Sequence, residues 1–304
     1  MKGLFANRSL FFQLGVMLAG LLIGALSGSL ILSVIYRIAG VSFSDVLHEP
    51  VWTIQVTQLL SSVFTFLLPA WFTAWFCSER PKEFLYLRGF PGIRLLFLLT
   101  LATLLISPTI SLTGYFNSQM RLPDFMAPLE AWMKDSEDLA AGIIERMVSG
   151  KGPLSFILNL IVVAVAAGVT EEFLFRGALF SIFRKKIRNP QVVIWSVAVL
   201  FSAIHCQFYG FIPRMLLGAY LGYLLYWTKT IWAPVFAHFL NNAGALTGMS
   251  NDSLKENAFF TEELAPGDIG WFSVVAGISL LFFIGCMTVI YQSERPKAER
   301  LNSE

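Results

Sequence analysis

Eight long apolar runs constrain this chain more than any other feature. They fall at roughly 10–36, 53–77, 93–113, 154–182, 190–208, 211–228, 231–248 and 269–291. About 20 consecutive apolar residues in a helix cross the hydrocarbon core of a bilayer. Within that core only helices and closed barrels satisfy their own backbone polar groups. Charged residues make up 14% of the 304 residues, against about 25% in ordinary soluble domains. The expectation is an all-α fold, a polytopic transmembrane helical bundle of about eight spans. Three of the runs are short or tightly linked, so tilted or re-entrant segments are open for them.

Basic residues orient the bundle. One set of loops holds Lys2, Arg8, Arg80, Lys82, Arg88, Arg94, Arg184, Lys185, Lys186, Arg188, Lys229, Arg295, Lys297 and Arg300. The opposite set holds Arg37, Arg121, Lys134, Arg146, Lys151, Arg214 and Lys255, a bias of about two to one. The positive-inside rule then places both termini in the cytosol. The first apolar stretch runs on to about Ile35, past the roughly 7–15 residues of a signal-peptide core, so an uncleaved first span is expected. Short loops without appended domains point to an integral, multi-pass protein of a prokaryotic plasma (inner) membrane. A net charge of +2 and the lack of any basic aromatic surface or zinc-finger spacing exclude a nucleic-acid partner. The three cysteines, Cys77, Cys206 and Cys286, are far apart and read as buried thiols.

The longest loop, about 114–152, carries Phe125, Met126, Leu129, Trp132 and Met133 at near-helical spacing among acidic residues. Two readings fit, an amphipathic helix on the outer membrane surface and an ordinary helix capping the bundle; the second is favoured.

An ionisable group near mid-bilayer costs several kcal/mol unless it faces the bundle interior and finds a partner. Those inside the runs are Glu171, Glu172, Arg176, His205 and His238, with the amides Asn241 and Asn242 beside them. Glu172 and Arg176 are i,i+4 and share a helix face. Glu171 is rotated by about 100° and has no partner on its own helix. Phe201 with His205, and His238 with Asn242, form i,i+4 pairs on two further segments, and Asn241 reads as polar glue between helices. His48 reads as a solvated loop histidine. Ser202 lies three residues before His205, but no acid is evident to orient that imidazole for a serine mechanism. Cys206 reads as a small buried residue.

A carboxylate and two imidazoles suit two chemistries. The glutamate can act as general base and acid, or the set Glu171, His205 and His238 can hold Zn²⁺ with an open position for water. Asn242 can stabilise a developing oxyanion. Counting about 1.5 Å per residue puts His238 about 13 Å from Lys229 and His205 about 22 Å from Pro190. A shared site therefore needs tilt, a helix starting before Pro190, or a break near Pro213.

"EEFLFRG" at 171–177, "FSAIH" at 201–205 and "HFLNN" at 238–242 resemble, in that order, the motifs of the CPBP family: the CAAX proteases and bacteriocin-processing enzymes, also called the Abi family. The resemblance covers about 154–248. It implies an intramembrane endopeptidase, often labelled a metalloprotease. Glu171 would activate water with His205 assisting, His238 and Asn242 would polarise the scissile carbonyl, and Glu172 and Arg176 would support the site. The expected organisation is 1–152 for about three N-terminal spans and the outer amphipathic segment, 153–248 for the CPBP/Abi-type core, and 249–304 for an outer loop, the last span and a cytosolic tail. The expected partners are a peptide or membrane-protein substrate and the lipid bilayer. Two other classes remain: a proton- or ion-coupled carrier, disfavoured because the polar residues are confined to one half, and a catalytically silent scaffold or immunity factor, disfavoured by the intact motifs.

Overall fold

A computed structural model describes residues 2–41, 50–150, 152–251, 253–254, 264 and 267–301. His48, and most of the acidic loop at 249–268, lie outside them. The described residues contain helices and no strand.

The main helices are α1 (Leu10–Ala39), α2 (Val51–Cys77), α3 (Ile93–Ser118), α4 (Ala127–Val148), α5 (Pro153–Arg184), α6 (Pro190–Ala203), α7 (Phe211–Thr228), α8 (Trp232–Ser250) and α9 (Ile269–Leu301). Each apolar run has become one of these helices; α4 comes from the long loop. Five of them, α1, α2, α3, α5 and α9, are long and apolar enough to cross a bilayer. The expected count of eight spans is thus met only in part. Among the runs, α6 stops after 14 residues, and α7 and α8 each carry polar residues that line the cavity, Arg214 on α7 and His238, Asn241 and Asn242 on α8.

Helix α1 shows how the apolar runs divide their surface. The Ser9 hydroxyl accepts from Phe12 N at its start, and Gly40 closes it in the left-handed region at φ 69°. Its buried residues, among them Gln13, Met17, Gly24, Gly28 and Tyr36, form one stripe. Phe11, Leu22, Leu26 and Ile38 on the other sides are exposed. A helix apolar all round with only one stripe packed is built to meet lipid on the remainder.

Pro69 shapes α2. Its missing N–H and bulky ring disturb the turn before it, and the backbone widens into a π turn at Val63–Leu67. The Phe64 carbonyl then lies against Gly24 of α1, where an added Cβ would run into it. Gly20, Gly24 and Gly28 recur every fourth residue and let the two backbones approach closely.

Helix α5 is the centre of the bundle and packs on α2, α6, α7 and α8. Phe173, Leu174, Phe175 and Phe180 join Ile194 and Phe201 of α6 in the largest buried cluster. Two π turns, Leu160–Ala166 and Phe173–Leu179, flank the α-helical segment that ends at Glu172. Helices α3 and α9 pair along their length, with Ser279 Oγ donating to Leu105 O at 2.7 Å and Cys286 Sγ to Leu98 O at 3.4 Å. At the other end of α5, Lys185 Nζ donates to Cys77 O at 2.7 Å and to Gln13 Oε1 at 3.2 Å. That ammonium ties the ends of α1, α2 and α5 together.

Candidate active site

Helix α5 supplies two carboxylates that point different ways, as the 100° rotation between neighbours requires. Glu172 is fully buried and lies 2.7 Å from Arg176 NH1, also fully buried. The arginine donates in addition to Gly218 O of α7 at 2.9 Å, and its guanidinium stacks 4.4 Å above the Phe201 ring. The expected pairing is present, and Glu172 has a second partner: His238 Nδ1 is 2.8 Å from the same Oε1. Glu172 therefore orients an imidazole as well as neutralising Arg176.

Glu171 faces the cavity. His205 Nε2 and His238 Nε2 each lie 4.0 Å from its Oε2. The hydrogen bonds on the far side of each ring fix the tautomers. His238 Nδ1–H donates to Glu172, and His205 Nδ1–H donates to the Phe201 carbonyl at 2.8 Å. In the neutral rings both Nε2 lone pairs therefore face Glu171. Three acceptors converge on one space, which calls for a water or another proton donor between them.

The apparent mismatch in depth has a local cause. Helix α6 begins at Pro190 as its Asn189 cap dictates, and Pro213 sits harmlessly in the first turn of α7. Neither an earlier start nor a break occurs. His205 lies in the turn beyond α6, and its ring folds back onto Phe201, 5.2 Å between centroids. Both imidazoles thereby reach the same Glu171 oxygen, Oε2, with Nε2 at 4.0 Å in each case.

Asn242 Nδ2 donates to Val163 O of α5 at 3.0 Å, and its Oδ1 accepts from Asn241 at 3.2 Å. One N–H of the Asn242 amide is thereby engaged and the other is left for a ligand. Glu171, His205, His238, Asn241, Asn242 and Arg214 line a common cavity of about 220 Å³. A larger, mainly apolar cavity of about 460 Å³ adjoins it through Arg214 and Asn242.

Two sequence expectations need correction here. Arg214, counted among loop charges, stands in the first turn of α7 and lines the cavity; its position inside the 211–228 run was the missed signal. Cys206 is exposed, not buried, because it follows the helix end in a left-handed conformation at φ 53°. Cys77 and Cys286 are buried as expected. Ser202 is buried with its hydroxyl donating to Phe211 O at 2.6 Å, a clasp across the α6–α7 turn.

Two ligands of one tetrahedral Zn²⁺, each about 2.1 Å from it, stand about 3.4 Å apart; both carboxylate–imidazole distances are 4.0 Å. No group of three or more His, Cys, Asp or Glu residues among those described converges into a metal cluster. As placed, these residues do not fit the ion.

Comparison with known proteins agrees with the motif order. Residues 153–244 match the family model of the Type II CAAX prenyl endopeptidase Rce1-like proteins, in line with a CPBP family protease. Comparison with curated proteins and with solved structures returns no match.

Proposed function

With residues 153–244 an Rce1-like core in an integral membrane protein, we propose that the chain is an intramembrane endopeptidase that hydrolyses a peptide bond with water activated by Glu171 and His205. The carrying observation is the convergence of Glu171 Oε2 with the two Nε2 atoms, at 4.0 Å each, in tautomers fixed from behind.

Glu171 takes a proton from a water lodged between it and His205, and the hydroxide attacks the scissile carbonyl carbon. The free N–H of Asn242 receives the developing oxyanion. His238, kept in register by Glu172, walls the pocket beside the tetrahedral centre, and with Nε2 unprotonated it leaves the oxyanion to Asn242. Collapse of that centre breaks the C–N bond, and the proton held by Glu171 passes to the departing amine. The adjoining apolar cavity favours a substrate that brings an apolar group close to the scissile bond, such as a membrane-held or lipidated peptide.

The test compares peptide termini in membranes carrying the wild-type protein and Glu171→Ala. Termini present only with the wild type are expected. An identical set from a folded Glu171→Ala protein ends this reading.

A further inference from the structure

The turn that presents His205, residues 204–210, has no regular secondary structure, yet four bonds hold it and the start of α7 from outside, three on the turn and one on Ile212. Tyr209 N donates to Glu137 Oε2 at 3.0 Å and Tyr209 Oη to Glu130 Oε1 at 3.2 Å. Asn117, buried at the end of α3, donates to Phe208 O at 3.0 Å and accepts from Ile212 N at 2.7 Å. Two of these four bonds come from α4, a helix outside the matched segment at 153–244. Helix α4 is itself seated on α2, α5 and α8, with Met147 buried, and Asn159 of α5 donates to Met147 O at 2.8 Å.

We propose that α4 is a brace for the catalytic turn, with Glu137, seconded by Glu130, acting as a positioning residue that holds His205 against Glu171. Neither carboxylate touches the reacting groups; they act through the backbone and side chain of Tyr209. The proposal extends the endopeptidase reading, on which its kinetic arm rests. Burial pushes the Glu137 carboxyl up from its ordinary value, against the Tyr209 N–H and the Arg214 charge, which lower it. A neutral glutamine, which keeps the acceptor, is therefore a close replacement.

The molecule carries its own reporter. Cys206, next to His205, is exposed, while Cys77 and Cys286 are buried. A polar maleimide should label Cys206 alone, with Cys206→Ser as the blank. In the full-length protein, Glu137→Leu should raise the labelling rate about fivefold or more by freeing the turn. It should lower kcat about tenfold or more with KM nearly unchanged, as expected when a catalytic group is misplaced. Glu137→Gln should restore both, which a charge effect on Arg214 would not allow. Tyr209→Phe, a milder loss on the Glu130 side, should give an intermediate labelling rate and keeps the test open where Glu137→Leu fails to fold. Wild-type labelling in both Glu137→Leu and Tyr209→Phe, or an unchanged kcat in a Glu137→Leu protein that labels fast, overturns the brace. Should the wild type show no cleavage, the endopeptidase reading falls, and the labelling rates alone then decide the brace.

Discussion

Glu171 and Glu172 are chemically identical neighbours with opposite surroundings. Glu172 pairs with both Arg176 and His238 through Oε1 in a fully buried site, whereas Glu171 meets the cavity with imidazoles at 4.0 Å. Substituting Glu171 by Ala should remove cleavage with little change in thermal stability, read by melting and product formation on one preparation. Glu172→Ala should do two things. It strands a buried guanidinium, a loss of about 3–5 kcal/mol, and it frees the His238 ring, so surviving protein should also be slow. Stability loss alone, with normal kcat, would show that the His238 contact carries no catalytic weight. The carboxylate–imidazole spacing makes a further expectation concrete. Purified protein should hold well under one zinc per chain and keep its activity in chelator, as elemental analysis alongside the assay will show.

At the scale of helices, the site depends on close approaches that a methyl group would disturb. Gly168 of α5 packs on the α8 backbone, where an added Cβ would lie 3.3 Å from Phe239 N. Glycine at this point lets His238 reach Glu172, one turn further along α5. Gly168→Val should push α8 outward and lower kcat more than it lowers the melting temperature, which paired kinetic and thermal measurements would reveal. Much of this level could be read from the residues. The i,i+4 spacing of Glu172 and Arg176, and the folding of every apolar run into a helix, follow from periodicity and length. The brace on His205 could not be read, because Glu137 and Tyr209 are 72 residues apart and nothing local links them. The second role of Glu172 escaped for the same reason: its partner His238 comes from α8. The end of α6 also lay hidden, since "FSAIHC" continues an apolar run past the last helical residue.

For the whole molecule, α4 decides between the two readings of the long loop, and the answer is a mixture. One side of the helix seats against the bundle, while Leu129, Trp132 and Leu139 stay exposed along another, as does Phe125 in the turn before it, as an interfacial helix requires. Replacing Phe125 and Trp132 together by Ser should leave the fold intact and weaken cleavage in vesicles more than in detergent, if lipid contact seats the brace. Orientation rests on the basic residues alone, and tags at the two ends should both be reached from the cytosolic side. Helix lengths carry a last consequence. At 14 residues α6 measures about 20 Å, whereas α1 at 30 residues runs to about 45 Å, around a hydrocarbon layer of about 30 Å. Where α6 meets lipid, the acyl chains beside it are expected to shorten or bend to match it. Proteoliposomes made with progressively longer acyl chains should therefore turn over more slowly, with bilayer thickness itself setting the pace.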